Sequence, residues 1–137
     1  MDSDLARTIV ALPGWAWQEG LLVVEAGVSG LHGTKGRVVP GTRGGWSVAW
    51  RIAFNGVMTT SITHGAVPVL DDPATGGALL AMLGEVSEYT DCFRVHADGG
   101  THWEVYHCMP DGSMQPATGP TLGEACAAAL CAIGRCA

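Results

Sequence analysis

Trp46-Ser47-Val48-Ala49-Trp50-Arg51-Ile52-Ala53-Phe54 is the stretch that decides the fold class. Large apolar residues at 46, 48, 50, 52 and 54 alternate with smaller or polar ones between them, the two-residue period of a strand with one buried face. Asn55-Gly56 follows, a pair that tolerates the positive φ of a hairpin turn. A three-residue loop would set Phe54 opposite Met58 and Trp50 opposite Ile62. That register keeps the apolar faces together and is the one expected.

Working outward, a second hairpin is expected from Cys92 to Cys108 around Asp98-Gly99-Gly100. With those three residues as the loop, Val95 pairs with Trp103 and Phe93 with Val105 on the core side. Arg94 then faces Glu104, and His96 faces His102, on the other side. Residues 3–12 read as a first helix: Ser3 caps it, Leu5, Ile9 and Leu12 share a face, and Pro13-Gly14 stops it. Leu21-Leu22-Val23-Val24-Glu25 is a short strand. Asp72-Pro73 starts a second helix, whose buried stripe is Leu79, Leu80, Leu83 and Val86. Thr121-Leu122-Gly123-Glu124 is a capping box that opens a last helix over 122–135, packed through Leu122, Cys126, Ala129, Leu130 and Ile133. Hairpins interleaved with helices predict one α+β domain across residues 1–137, an antiparallel sheet of about five strands packed with three helices. Seven glycines between Gly27 and Gly45 mark 27–45 as a long exposed loop.

The bulk properties narrow the function classes. The 137 residues are enough for a hydrophobic core without staples, and 47% hydrophobic against 15% charged residues argues against disorder. A net charge of -6 disfavours direct nucleic-acid binding through phosphate neutralisation. It leaves room for a basic partner surface. No apolar run reaches the roughly 20 residues that span a bilayer. Residues 1–12 carry Asp2 and Asp4 where a secretory signal needs basic residues, and the cysteines number five. They read as reduced thiols in a cytosolic compartment. Cys126, Cys131 and Cys136 each turn about 140° from the last on a helix, so they present no common ligand face. An odd number of thiols and an apolar composition are compatible with a homo-oligomer.

Three stretches carry a family resemblance: Ala11-Leu12-Pro13-Gly14-Trp15-Ala16-Trp17, Leu70-Asp71-Asp72-Pro73-Ala74-Thr75 and Thr121-Leu122-Gly123-Glu124-Ala125-Cys126. They resemble small accessory proteins of tailed bacteriophages and prophages, including those grouped as the phage ABA-sandwich domain. The resemblance covers the first helix and residues 70–135. The glycine-rich loop and the 46–64 hairpin look like an insertion. What the resemblance implies is a phage protein acting in the cytoplasm of a bacterial host, with no catalytic signature to transfer.

Candidate sites are few. His96 and His102 across the hairpin could hold two positions of a metal, but zinc wants four converging ligands, and His107 projects to the other face from His102. Gly30-Leu31-His32-Gly33-Thr34-Lys35-Gly36 lacks the order of a phosphate-binding Walker loop. Even so, Lys35, Arg37 and Arg43 are three of only seven basic residues, all falling in the glycine-rich stretch. Backbone amides and those cations together could take an anion or an acidic partner. Trp15 and Trp17 are candidate aromatic anchors beside them. Cys92 and Cys108 have no histidine placed to activate them, so no catalytic residue, cofactor or metal is expected. The expectation is a non-enzymatic phage-type protein that binds and inhibits a host component, with a bacterial anti-phage defence protein as the target class. The alternative is an oligomeric sponge for a nucleotide signalling molecule.

Overall fold

The computed structural model describes residues 3–25, 35–41, 44–51, 56–63 and 65–136. Its elements run α1 (Ser3–Val10), β1 (Leu22–Glu25), β2 (Lys35–Pro40), β3 (Trp46–Arg51), β4 (Val57–Ser61), β5 (Ala66–Pro68), α2 (Pro73–Val86), β6 (Thr90–Ala97), β7 (Gly100–Cys108), β8 (Met114–Gly119) and α3 (Leu122–Ile133). The fold is α+β with antiparallel sheets. The strands divide between a five-stranded sheet, ordered β4-β3-β2-β1-β5, and a three-stranded one, β6-β7-β8. Two compact units result. One is built from Met1–Ala16 and Leu70–Ala137, and the other, Trp17–Val69, is inserted between those segments. Among the described residues, no helix is long and apolar enough to cross a membrane.

In the discontinuous unit, the helices start where their caps dictate. The Asp72 carboxylate accepts the Thr75 amide at 3.0 Å and the Thr75 hydroxyl at 3.1 Å, with Pro73 opening the first turn of α2. The Thr121 hydroxyl accepts the Glu124 amide at 3.3 Å and donates to the Leu70 carbonyl at 3.2 Å, so one side chain both caps α3 and ties it to the start of the α2 segment. Gly134 ends α3 at φ 88°, a left-handed cap that costs glycine nothing. The buried side of α2 is Thr75, Gly76, Leu79, Met82 and Leu83, while Leu80 and Val86 are only half-buried. Small residues govern α3 in the same way: Gly123, Ala125, Cys126, Ala127, Ala129 and Leu130 are buried, and Leu122 and Ile133 sit half-buried at its margin. Close approach explains this choice. A Cβ on Gly76 would stand 3.2 Å from the Gly123 nitrogen.

The β6–β7 hairpin corrects the expected register. His96 pairs with Thr101, Arg94 with Trp103 and Cys92 with Val105, so the loop is Asp98-Gly99, one residue shorter than read from sequence. Gly100 enters the strand at φ 122°, open to glycine and to few others. A one-residue slip exchanges the faces. Cys92 and Arg94 therefore join Val105 and His107 on the inner side, whereas Phe93, expected in the core, is 48% exposed. His96 and His102 no longer face each other. β8 was not anticipated, because Met114-Gln115-Pro116-Ala117-Thr118-Gly119 is an edge strand with little buried surface and so no apolar alternation. Its proline is tolerated there because an edge leaves one side of the backbone unpaired.

The inserted unit has Leu21, Val23, Val38, Val48 and Trp50 fully buried. Part of the expected 27–45 loop is strand: β2 lies between β1 and β3, with Gly36 opposite both Val23 and Trp50. The glycine is steric fit rather than looseness, since a Cβ there would come within 2.5 Å of Val48 Cγ1 and 2.8 Å of Trp50 Cε3. Residues 26–34, 42 and 43 lie outside the described residues, as do Ile52, Phe54 and Asn55 of the first hairpin and the Ser3 side chain. The β3–β4 register is also corrected. Trp50 pairs with Met58 and Val48 with Thr60, four positions from the expected pairing. An even shift leaves every side chain on its predicted face, and the Trp50 indole N–H fixes it by donating to the Thr60 hydroxyl at 2.8 Å.

Candidate functional site

Strand alternation sorts the inserted sheet into a buried face and an open one. Gly36 and Val38 of β2 point inward, so Lys35 and Arg37 point outward and are exposed. On β3, Val48 and Trp50 are buried, which sends Ala49 and Arg51 to the open side. Arg37 pairs with Ala49 on one flank and Leu22 on the other, and the same antiparallel register sets Lys35 and Arg51 together at one end of the Gly36–Trp50 pair. Together Leu22, Lys35, Arg37, Ala49, Arg51 and Val57 line a shallow depression of about 330 Å³. The Arg37 guanidinium donates to the Gly20 carbonyl at 3.1 Å, which steadies the head group.

The sequence thus located two of these cations and missed the third. Lys35 and Arg37 were assigned to a loop, but they stand on a hydrogen-bonded strand. Arg51 was passed over, although its signal was present: in the strongest strand of the chain it occupies an outward position. Arg43 lies outside the described residues. Trp15 and Trp17 are each half-buried and do not line the depression. Chemically the site offers two forked guanidiniums and one ammonium, the donor set for carboxylates or phosphates.

The other candidates do not assemble. Among the described residues, no group of three or more His, Cys, Asp or Glu side chains could hold a metal ion. Burial pushes the Cys126 thiol up to about 12 and also raises Cys131 and Cys136, the opposite of what a nucleophile needs. His107 is almost fully buried in β7, directly opposite Thr90, and its Nδ1 finds no hydrogen-bond partner. Burial lowers its pKa from 6.5, outweighing a backbone hydrogen bond at Cys108 that raises it. The unfolded chain therefore binds more protons than the folded one as pH falls through 6.5, and stability is lost on acidification through that value. Melting temperatures measured from above to below this pH should fall, and His107→Leu should flatten the slope. A slope unchanged by the substitution would place the pH dependence elsewhere.

Comparison with protein-family models, with curated proteins and with solved structures finds no match to this chain.

Proposed function

We propose that this chain is a non-catalytic binding protein that engages an acidic surface of a partner through the open face of its five-stranded sheet. Following the sequence resemblance, the partner is a component of a bacterial host, with an anti-phage defence protein as the target class. One observation carries the reading. In a protein of net charge -6, three of seven basic residues, Lys35, Arg37 and Arg51, gather on one exposed sheet face around a depression. Like charges on neighbouring strands repel and weaken a sheet, so such a cluster is better explained by a partner than by the fold. Presentation on paired strands also reduces the ordering cost that a loop would incur on binding.

Replacing Lys35, Arg37 and Arg51 together by alanine tests it. At about 0.5–1 kcal/mol for each exposed charge, the triple variant should bind the captured partner roughly ten- to a hundredfold more weakly. Its thermal melt should stay close to that of the original, because all three are surface positions. Equal affinity in the two proteins would remove this face from the account. A depression of 330 Å³ also falls within the roughly 300–1,000 Å³ of small-molecule sites, which keeps the nucleotide-sponge reading as the second one. Thermal shift against a panel of cyclic nucleotides separates the two, since a sequestered ligand raises the melting temperature.

A further inference from the structure

The outer face of the three-stranded sheet carries a second feature, which does not depend on the cationic face. Tyr89, just before β6, stands with Phe93 of β6, Tyr106 of β7 and Met114 of β8 around a cavity of about 280 Å³ whose one charged wall is Asp91. Phe93 and Tyr106 meet edge to face, ring centroids 5.9 Å apart at 79°, forming two walls of a corner. Exposing three large side chains together, Tyr89 at 53%, Phe93 at 48% and Met114 at 43%, is unusual for a face that only meets water.

The electrostatics have one sign. The Tyr89 hydroxyl donates to Asp91 Oδ2 at 3.2 Å, and the Tyr106 hydroxyl donates to Glu104 Oε2 at 3.3 Å. These carboxylates raise both phenol pKa values, so the phenols stay neutral and their ring faces stay electron-rich beside negative charge. The single Arg or Lys of β6 to β8, Arg94, sits on the inner face with Trp103. His102, on the outer face, is held by Glu104 at 3.4 Å.

We propose that this corner binds a methylated ammonium group, carried either on a partner's side chain or by a small molecule. Ring faces attract a cation through their quadrupole, and a methylated head group presents diffuse charge and C–H surface to them. A primary ammonium fits poorly, because its three N–H donors need acceptors. Asp91 is the cavity's one carboxylate, and its oxygens already accept from Tyr89 and from the Cys92 amide, the latter at 2.9 Å. The volume suits a head group and lies below the roughly 300 Å³ at which drug-sized sites begin.

The test titrates the whole chain with choline and with its neutral isostere, 3,3-dimethylbutan-1-ol, reading the ring resonances of Tyr89, Phe93 and Tyr106 by NMR. Choline should shift them saturably, and the isostere should bind at least about tenfold more weakly. Phe93→Leu, which keeps bulk and loses the ring, should weaken choline by about fivefold. A trimethyllysine peptide and its unmethylated form are titrated alongside. Tighter binding of the methylated peptide than of choline assigns the cation to a partner protein, and the reverse assigns it to a small molecule. Equal binding of choline and its isostere would overturn the proposal, leaving a merely apolar patch. So would an absence of shifts with every cation, or shifts that follow protein concentration alone, which would mean that a second copy covers the face.

Discussion

Trp50→Ala should cost about 4 kcal/mol of stability, in the range of large-to-small aromatic deletions in a core. Trp50 is fully buried and is the largest such side chain among the described residues. It sits over Gly36, whose missing side chain makes the space it fills, and its indole N–H fixes the β3–β4 register on Thr60. Truncation removes the ring, opens a cavity against a strand that has no side chain to collapse into it, and strands the Thr60 hydroxyl. Trp50→Phe separates the two contributions: it retains most of the volume and loses the hydrogen bond, for about 1–2 kcal/mol. Amide exchange in β2 and β3 is the suitable readout, because a chain with two compact units need not unfold in one step. A loss under about 1 kcal/mol for Trp50→Ala would mean that Trp50 is not the centre of that core.

Gly123→Ala is the second large effect, expected near 3 kcal/mol through overpacking against a surface that cannot yield. The added Cβ would collide with the Leu70 carbonyl oxygen and lie 2.9 Å from its carbon. A flexible side chain could step aside, but a backbone carbonyl cannot. α3 would have to lift from Leu70, losing the 3.2 Å hydrogen bond from Thr121. Gly77→Ala is the control. Gly77 is exposed within α2, and a Cβ there meets nothing within 4 Å, so the change should stabilise by about 0.5–1 kcal/mol. Urea titrations of both variants check the pair, and a neutral Gly123→Ala would show that the α3 approach is looser than it looks.

These glycines also show what could be read from the chain and what could not. Caps were legible because their chemistry is local: Asp72 before Pro73, and Thr121 three residues before Glu124, state their helices without help from distant residues. The strand at 46–51 was legible through alternation, and the one at 22–25 as a short apolar run. β2 was not, because Gly36 occupies an inward position where alternation needs an apolar side chain. The steric reason for that glycine lies on β3, in Val48 and Trp50. Asp98-Gly99-Gly100 supports two turn lengths equally well by composition, and the choice between them decided whether Phe93 faced the core or solvent. The cationic face followed the same logic. Lys35 and Arg37 stood out by charge, but Arg51 joined them only once β2 was a strand paired to β3. The aromatic corner on β6 to β8 was hidden by the wrong register, which had turned Phe93 inward.

The central claim is that the face bearing Lys35, Arg37 and Arg51 meets the partner, and arginine footprinting tests it most directly. The tagged chain is captured with its partner from lysate of a bacterial host, and free and bound forms are labelled with phenylglyoxal and read by mass spectrometry. Arg37 and Arg51 should be protected in the complex, while Arg7, Arg94 and Arg135 react as they do in the free protein. Unchanged labelling of Arg37 and Arg51 in a stable complex would contradict the account and move the interface to another surface.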